Sequence, residues 1–386
     1  MTARTKRIGV LSASVATAAL VLTLAWRFGP ALTLTLGLAF PGSEAWLARA
    51  DGDVERREIT ISRGDVAIVA DLYEPRAARG AFVLVHGLSR HGRRHPELER
   101  LARLLARHGR RVLVPDFPSL KAFRLNGRER HEVAGALAYL REREPTAALG
   151  VAGFSFGAGP AILAAADVAD VDVTGSFGGY ADLRAVIRFV TTGVHELHGR
   201  RYVAQQEAYN RWKLLALLVD FIAEPGDRDV LGAIAEKKLA DPSQDTAALE
   251  GRLGPSGRSM LALVTNRRDE AVSALIASLP PSAHESLDRL SPLAAVARLR
   301  GRLALAHGAA DDSIPFTETL RLAAAARCPH RVAILQSFHH TGPQSLAHSL
   351  VDYAHDAWHL VRLSDLLLSG RGLVGVETSP RPAARG

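Results

Sequence analysis

The sequence predicts an α/β architecture: a mostly parallel, doubly wound sheet with a helical insertion, preceded by an N-terminal transmembrane helix. Three observations predict it. Short β-branched runs alternate with helical patterns between residues 81 and 177, and again between 302 and 368. The intervening residues, 180–299, show helical spacing alone. An uncharged apolar run, Ile8 to Trp26, stands near the start behind Arg4, Lys6 and Arg7. The expected divisions are 1–50 (anchor and a second apolar segment), 51–179 (core, first part), 180–299 (helical cap insertion), 300–369 (core, second part) and 370–386 (disordered tail).

Composition narrows the function classes. Hydrophobic residues make up 47% of the 386 and charged residues 23%, which is a folded chain and not a disordered one. The lone Cys328 excludes a disulfide framework and a Cys-rich zinc site, and reads as a small core hydrophobe. The net charge of +8 comes from scattered arginines. A basic chain suits a membrane surface or a nucleic acid, but no basic run is interleaved with aromatics, so nucleic acid is not indicated. No G-x-G-x-x-G or phosphate-binding loop occurs, and no cofactor is expected.

The elements follow in order. The run from Ile8 to Trp26 would reach about 28 Å as a helix, close to the hydrocarbon thickness. Its positive flank keeps the amino terminus cytoplasmic and exports the rest. A cleaved signal peptide is the rival. It would have a shorter apolar region and a small-x-small site, and the candidate sites ending at Ala25 and Ala45 are weak. The expectation is therefore a single-pass signal anchor in the cell membrane, with secretion after cleavage as the alternative. A second apolar stretch, Phe28 to Phe40, is interrupted by Gly29, Pro30 and Gly37. It is short for a span, and reads either as an interfacial segment or as an ordinary helix on the body.

Val54–Ile61 and Val66–Tyr73, joined by Arg63-Gly64-Asp65, read as a hairpin. Ala81–Val85 is a strand buried on both faces. A helix follows with Leu98, Leu101, Leu104 and Leu105 on one side; then come a strand at Arg111–Pro115 and a helix at Glu129–Leu140. Leu149–Phe154 is a strand, Phe156–Ala166 a small-residue helix and Val171–Phe177 a strand. After the insertion come a strand at Arg302–Ala306, a helix at Thr317–Ala326, a strand at Arg331–Leu335 and a helix at Gln344–Leu368. Strands alternating with helices imply crossover connections and a parallel sheet.

The chemistry centres on Gly153-Phe154-Ser155-Phe156-Gly157, a G-x-S-x-G pattern between an apolar strand and a Gly/Ala-rich helix. That junction requires a tight turn, which lifts the Ser hydroxyl to the carboxyl end of the sheet and aims the positive end of a helix at it. A Ser nucleophile needs a base, and the base an orienting carboxylate. Two loops supply candidates after strands of the same sheet: His307-Gly308-Ala309-Ala310-Asp311-Asp312-Ser313-Ile314-Pro315, and Phe338-His339-His340-Thr341-Gly342. Parallel strands bring both loops to the edge that carries the Ser. Oxyanion donors are the amide of Leu88, in the loop His86-Gly87-Leu88-Ser89, and the amide of Phe156. His86 reads as a loop-ordering residue.

Taken together, the strand followed by His86-Gly87, the GFSFG elbow, HGAADDSIP, Ser291-Pro292 and the late histidine resemble the α/β-hydrolase superfamily of serine esterases, lipases and peptidases. The resemblance covers about Val54 to Leu368. It implies Ser155 as nucleophile, His340 as general base, Asp311 as orienting acid, and Leu88 and Phe156 as oxyanion amides. It favours Asp311 over Asp312 through Gly308-x-x-Asp311-x-x-Ile314-Pro315, and His340 over His339 through Phe-x-His. The doubled histidine and the long insertion depart from the family pattern.

Other constellations are weaker. His195, Glu196 and His198 are expected on a solvated helix face, and no metal site is expected. Asp116 ends a strand on the elbow's edge and reads as an acceptor for loop amides. The function expected is a membrane-anchored serine hydrolase acting on a small-molecule or lipid ester, with a lipophilic acyl ester favoured by the apolar insertion. An exopeptidase or amidase of the same fold, or a catalytically idle scaffold, are the alternatives.

Overall fold

The computed structural model describes residues 23, 27–40, 42, 54–63, 66–338 and 350–369. Eight strands form the main sheet: β1 (Glu55–Arg63), β2 (Val66–Glu74), β3 (Gly80–Val85), β4 (Arg110–Pro115), β5 (Ala148–Phe154), β6 (Val173–Phe177), β9 (Arg302–Gly308) and β10 (His330–Leu335). Their order is β1-β2-β4-β3-β5-β6-β9-β10. β1 and β2 form an antiparallel hairpin, and β2 joins β4 antiparallel. From β4 to β10 every pairing is parallel.

Period-two alternation divides the core into two layers. In β3, Ala81, Val83 and Val85 enter one hydrophobic cluster, and Phe82 and Leu84 enter the other. β9 repeats the division with Leu303 and Leu305 against Ala304 and Ala306. Both faces are covered, which is why these strands are uninterrupted apolar runs. Each large side chain buried in this way contributes about 1.5–3 kcal/mol. Helices Arg128–Arg143, Ala158–Asp167 and Phe316–Ala325 cover the first face; helices 27–39, Pro96–Arg107 and Leu350–Ser369 cover the second.

Helix 27–39 settles the second apolar stretch as a helix packed on the body. Arg27 pairs with Asp365 through two contacts of 2.5 and 2.9 Å, Thr35 bonds Ser364 at 3.0 Å, and Leu34 is fully buried. A Cβ at Gly37 would come within 2.6 Å of Leu104, so glycine is what lets the two helices approach. The run expected to span a membrane, Ile8 to Trp26, lies outside the described residues apart from Thr23. Among the described residues, no helix is long and apolar enough to cross a membrane. The tail at 370–386 also lies outside them.

One expectation for the insertion is corrected. Besides helices, residues 180–299 contain an antiparallel hairpin, β7 (Val194–Leu197) with β8 (Arg200–Val203). His195 and His198 therefore sit on a strand and its turn, not on one helix face. Helical spacing misled here because the segment is short and its turn, His198-Gly199, takes two positive φ values of 51° and 74°.

Candidate active site

Sheet order positions the site. The connection after β3 runs outward to β4, whereas β5 leads to β6 on the opposite side. The crevice between the carboxyl ends of β3 and β5 is thus a topological switch point, where open α/β sheets bind ligands. Two loops meet there: His86-Gly87 after β3, and the Ser155 turn after β5.

Ser155 has φ of 51°, a left-handed conformation that non-glycine residues rarely adopt. Its neighbours make that turn feasible. A Cβ at Gly153 would lie 2.4 Å from the Gly157 carbonyl, and one at Gly157 would lie 2.2 Å from the His86 carbonyl. Strand, helix and neighbouring loop therefore approach to distances that only glycine allows. At Gly87 a Cβ would stand 2.9 Å from Ser155 Cβ and 3.5 Å from Ser155 Oγ, so the β3 loop passes directly over the hydroxyl. A single 3-10 turn, Ser155–Gly157, leads into helix Ala158–Asp167. At such a start the Phe156 N–H has no acceptor within its own helix.

Two strands away, Asp311 follows β9 and is almost fully buried. Its Oδ1 accepts from the amides of Ser313 (2.8 Å) and Ile314 (2.9 Å). Its Oδ2 is directed toward β6, since a Cβ at Gly178, just past that strand, would lie 3.6 Å from it. The carboxylate thus leans from β9 toward the elbow side. Asp312 has a different setting: its carbonyl accepts from Asn210 Nδ2 at 3.1 Å.

No family model and no curated protein matches the sequence. Among solved structures, the chain is similar to an acylaminoacyl peptidase of Pyrococcus horikoshii, with 12% identity and a TM-score of 0.50 over 88% of this chain and 45% of that one. The chain thus spans under half the length of that peptidase. It is also similar to an α/β hydrolase of a Penicillium species (13% identity, TM-score 0.47, 80% and 98% covered) and to a dienelactone hydrolase of Anabaena variabilis (15%, 0.44, 79% and 97%). The chain has the α/β-hydrolase fold.

In this α/β-hydrolase fold the remaining histidines have separate settings. His86 Nε2 accepts the Phe117 amide at 3.1 Å, and its Nδ1 donates to the Gly87 carbonyl at 2.8 Å. Burial pulls its pKa down to about 4. A neutral ring with both nitrogens engaged orders the loop, as the sequence suggested. Asp116 likewise serves the loop, accepting from the Arg93 amide at 3.4 Å and from Lys121 Nζ at 2.8 Å. His195 bonds Thr317 Oγ1 at 3.0 Å among Phe189, Tyr202 and Phe316, and burial lowers its pKa to about 4. No group of three or more metal-binding side chains occurs among the described residues.

Two residues of this α/β-hydrolase fold escaped the sequence reading. His307 Nε2 donates to the Ile314 carbonyl at 2.8 Å and faces Asp311 Oδ2 at 3.2 Å, and Thr319 Oγ1 donates to its Nδ1 at 2.7 Å. The His-Gly pair that closes β9, like the His86-Gly87 pair just after β3, was its available signal. Asp356, buried on helix Leu350–Ser369, accepts the amides of Gln336 (3.1 Å) and Ser337 (2.8 Å) and the Ser337 hydroxyl (2.6 Å). It ties down the loop after β10, where the sequence shows no motif. That loop leads into His339 and His340, which both lie outside the described residues.

Proposed function

We propose that this chain is a serine hydrolase that cleaves a carboxylic ester through an acyl-enzyme on Ser155. The observation that carries the reading is the glycine-walled turn holding Ser155 at positive φ beneath the Gly87 loop. Such strain is kept where the surrounding structure fixes it, and here it presents a hydroxyl at the switch point.

Ser155 Oγ attacks the ester carbonyl carbon as His340 takes the hydroxyl proton. The carbonyl π electrons move onto oxygen, and the oxyanion is held by the Leu88 and Phe156 amides. Collapse of the tetrahedral intermediate breaks the bond to the alcohol oxygen, to which His340 returns the proton. Water, deprotonated by His340, then attacks the acyl-enzyme, and the acid leaves as Ser155 recovers its proton. Asp311 orients the imidazole and stabilises its charged form. No cofactor takes part in this scheme.

The membrane part of the proposal rests on the Ile8–Trp26 run and its basic flank. Helix 27–39, immediately after it, exposes Leu32 and Leu36, and Phe40 just past its end continues the four-residue spacing, with 42%, 49% and 62% of their surfaces open. That stripe suits a body held against lipid, on the exported side, near a lipophilic acyl ester.

Fluorophosphonate labelling with mass-spectrometric mapping tests the chemistry. Ser155 should carry the label, and S155A should not. Folded protein that takes no label would favour an idle scaffold. Faster cleavage of aminoacyl anilides than of p-nitrophenyl esters would move the assignment to a peptidase or amidase. H340A should abolish labelling and H339A should not. Removing Met1 to Trp26 should release the protein from membranes.

A further inference from the structure

Helix Leu350–Ser369 carries the sequence His355-Asp356-Ala357-Trp358-His359. Residues four apart on a helix stand one above the other on the same face. Here the two imidazoles turn toward each other. Nε2 of His355 lies 3.1 Å from Nε2 of His359, and the ring centroids are 4.3 Å apart. His359 is buried, whereas 52% of the His355 side chain is open to solvent. The converging nitrogens are therefore within reach of a solute.

The other nitrogen of His355 fixes which atom holds the proton. Its Nδ1 lies 3.4 Å from Asp356 Oδ1. A carboxylate only accepts, so Nδ1 carries the hydrogen, and Nε2 of the neutral ring keeps its lone pair, aimed at His359. Metal-ligating histidines are held in this way, with a carboxylate on one ring nitrogen and the other free to coordinate. Asp356 is itself fixed by the Gln336 and Ser337 amides. His307 shows the contrasting, structural case, with both nitrogens spent on Thr319 and the Ile314 carbonyl.

The spacing suits a shared cation. With Zn–N bonds of about 2.0–2.1 Å and tetrahedral angles, two imidazole nitrogens on one zinc ion stand about 3.3 Å apart. The observed 3.1 Å needs only a small rotation of either ring to match. Two histidines at i and i+4 on a helix are also a known way to grip zinc. Among the described residues, no third ligating side chain joins the pair. Water would fill the remaining positions on the solvent side.

We infer that His355 and His359 together bind one divalent cation of the zinc type, with Asp356 as the carboxylate behind the first ligand. Such a site stands apart from the Ser155 chemistry and does not depend on it.

Diethyl pyrocarbonate, which modifies unprotonated imidazole nitrogens, tests this on the full-length chain, with sites mapped by mass spectrometry and zinc sulfate or magnesium sulfate as the probe. Zinc should protect His355 and His359 with one shared midpoint. At ten times that midpoint both should react about tenfold more slowly, as single-site occupancy requires. Magnesium, which prefers oxygen ligands, should protect neither. H355A changes an exposed side chain and should keep the wild-type melting temperature. It should lose zinc protection of His359 at that concentration, and bind one zinc ion fewer per chain in equilibrium dialysis. If zinc leaves the two wild-type histidines equally reactive, the inference is overturned and the pair is a hydrogen bond between rings. Separate midpoints for the two, His359 still protected in H355A, or an unchanged zinc count in that variant overturn it as well.

Discussion

His307 Nε2 lies 3.2 Å from Asp311 Oδ2 while donating to the Ile314 carbonyl at 2.8 Å. The imidazole thus bridges the two ends of the turn that carries the proposed acid. His307→Ala would leave the Ile314 carbonyl and Thr319 without this partner in a buried site, costing about 2 kcal/mol in urea unfolding. The Ser155 labelling rate, normalised to folded protein, should fall by about tenfold or more, because small misplacements of a catalytic carboxylate are expensive. A stability loss with an unchanged labelling rate and pH profile would restrict His307 to a packing role.

Asp356 makes the matching contact on the histidine side. It holds two successive amides and one hydroxyl of the loop at Gln336-Ser337, just before the paired histidines. Asp356→Ala orphans three donors; Asp356→Asn keeps a carbonyl acceptor. The alanine variant should lose most Ser155 labelling at neutral pH and the asparagine variant much less. Equal rates in the two would detach this anchor from the proposed base.

Much of this arrangement was legible in the sequence, because strands buried on both faces leave a plain record. The runs at Ala81–Val85 and Arg302–Ala306 could only be core strands, and each differs from the observed element by two residues or fewer. The elbow was legible for a related reason: Gly153 and Gly157 are demanded by contacts of 2.4 and 2.2 Å that any Cβ would make. The hairpin at Val194–Val203 was not legible. Each of its strands has four residues, and His195 owes its place to Phe316 and Thr317, more than 120 positions away. Asp356 was hidden similarly, since a buried carboxylate bonding distant loop amides leaves no local pattern.

Gly87 offers a prediction confined to the site. Its φ is not in the left-handed region, so alanine meets no backbone penalty there. An added Cβ would approach the Phe154 carbonyl and Ser155 Cβ to 2.9 Å each. The loop carrying the Leu88 amide must then move by a few tenths of an ångström. Gly87→Ala should lower kcat about 100-fold, the cost of losing one oxyanion donor, with KM and melting temperature little changed. Near-normal kcat would remove Leu88 from the oxyanion site.

Buried titratable groups predict opposing slopes of stability with pH. His86 and His195 are both held near a pKa of about 4 by burial. The unfolded chain binds their protons first, so the stability they support is present above the ordinary pKa of 6.5 and is lost as pH falls toward 4. Glu318 has the opposite sense. Burial raises its pKa to about 7, against the amides of Asp182 and Ala181 and the charge of Arg321. Here the folded chain binds the proton first, so the contribution is full below 4.5 and is lost as pH rises through 7. Above pH 6.5 the histidine slopes are gone, and the Glu318 slope, with a smaller one from half-buried Glu132 (raised to about 6), shows as a decline in unfolding free energy. Glu318→Gln keeps a carbonyl acceptor for the Ala181 and Asp182 amides but cannot ionise. Urea unfolding from pH 5 to 8 should therefore show the wild-type stability falling relative to that of the variant at the same pH, by about 3 kcal/mol at most. A decline that survives in Glu318→Gln would trace to another group.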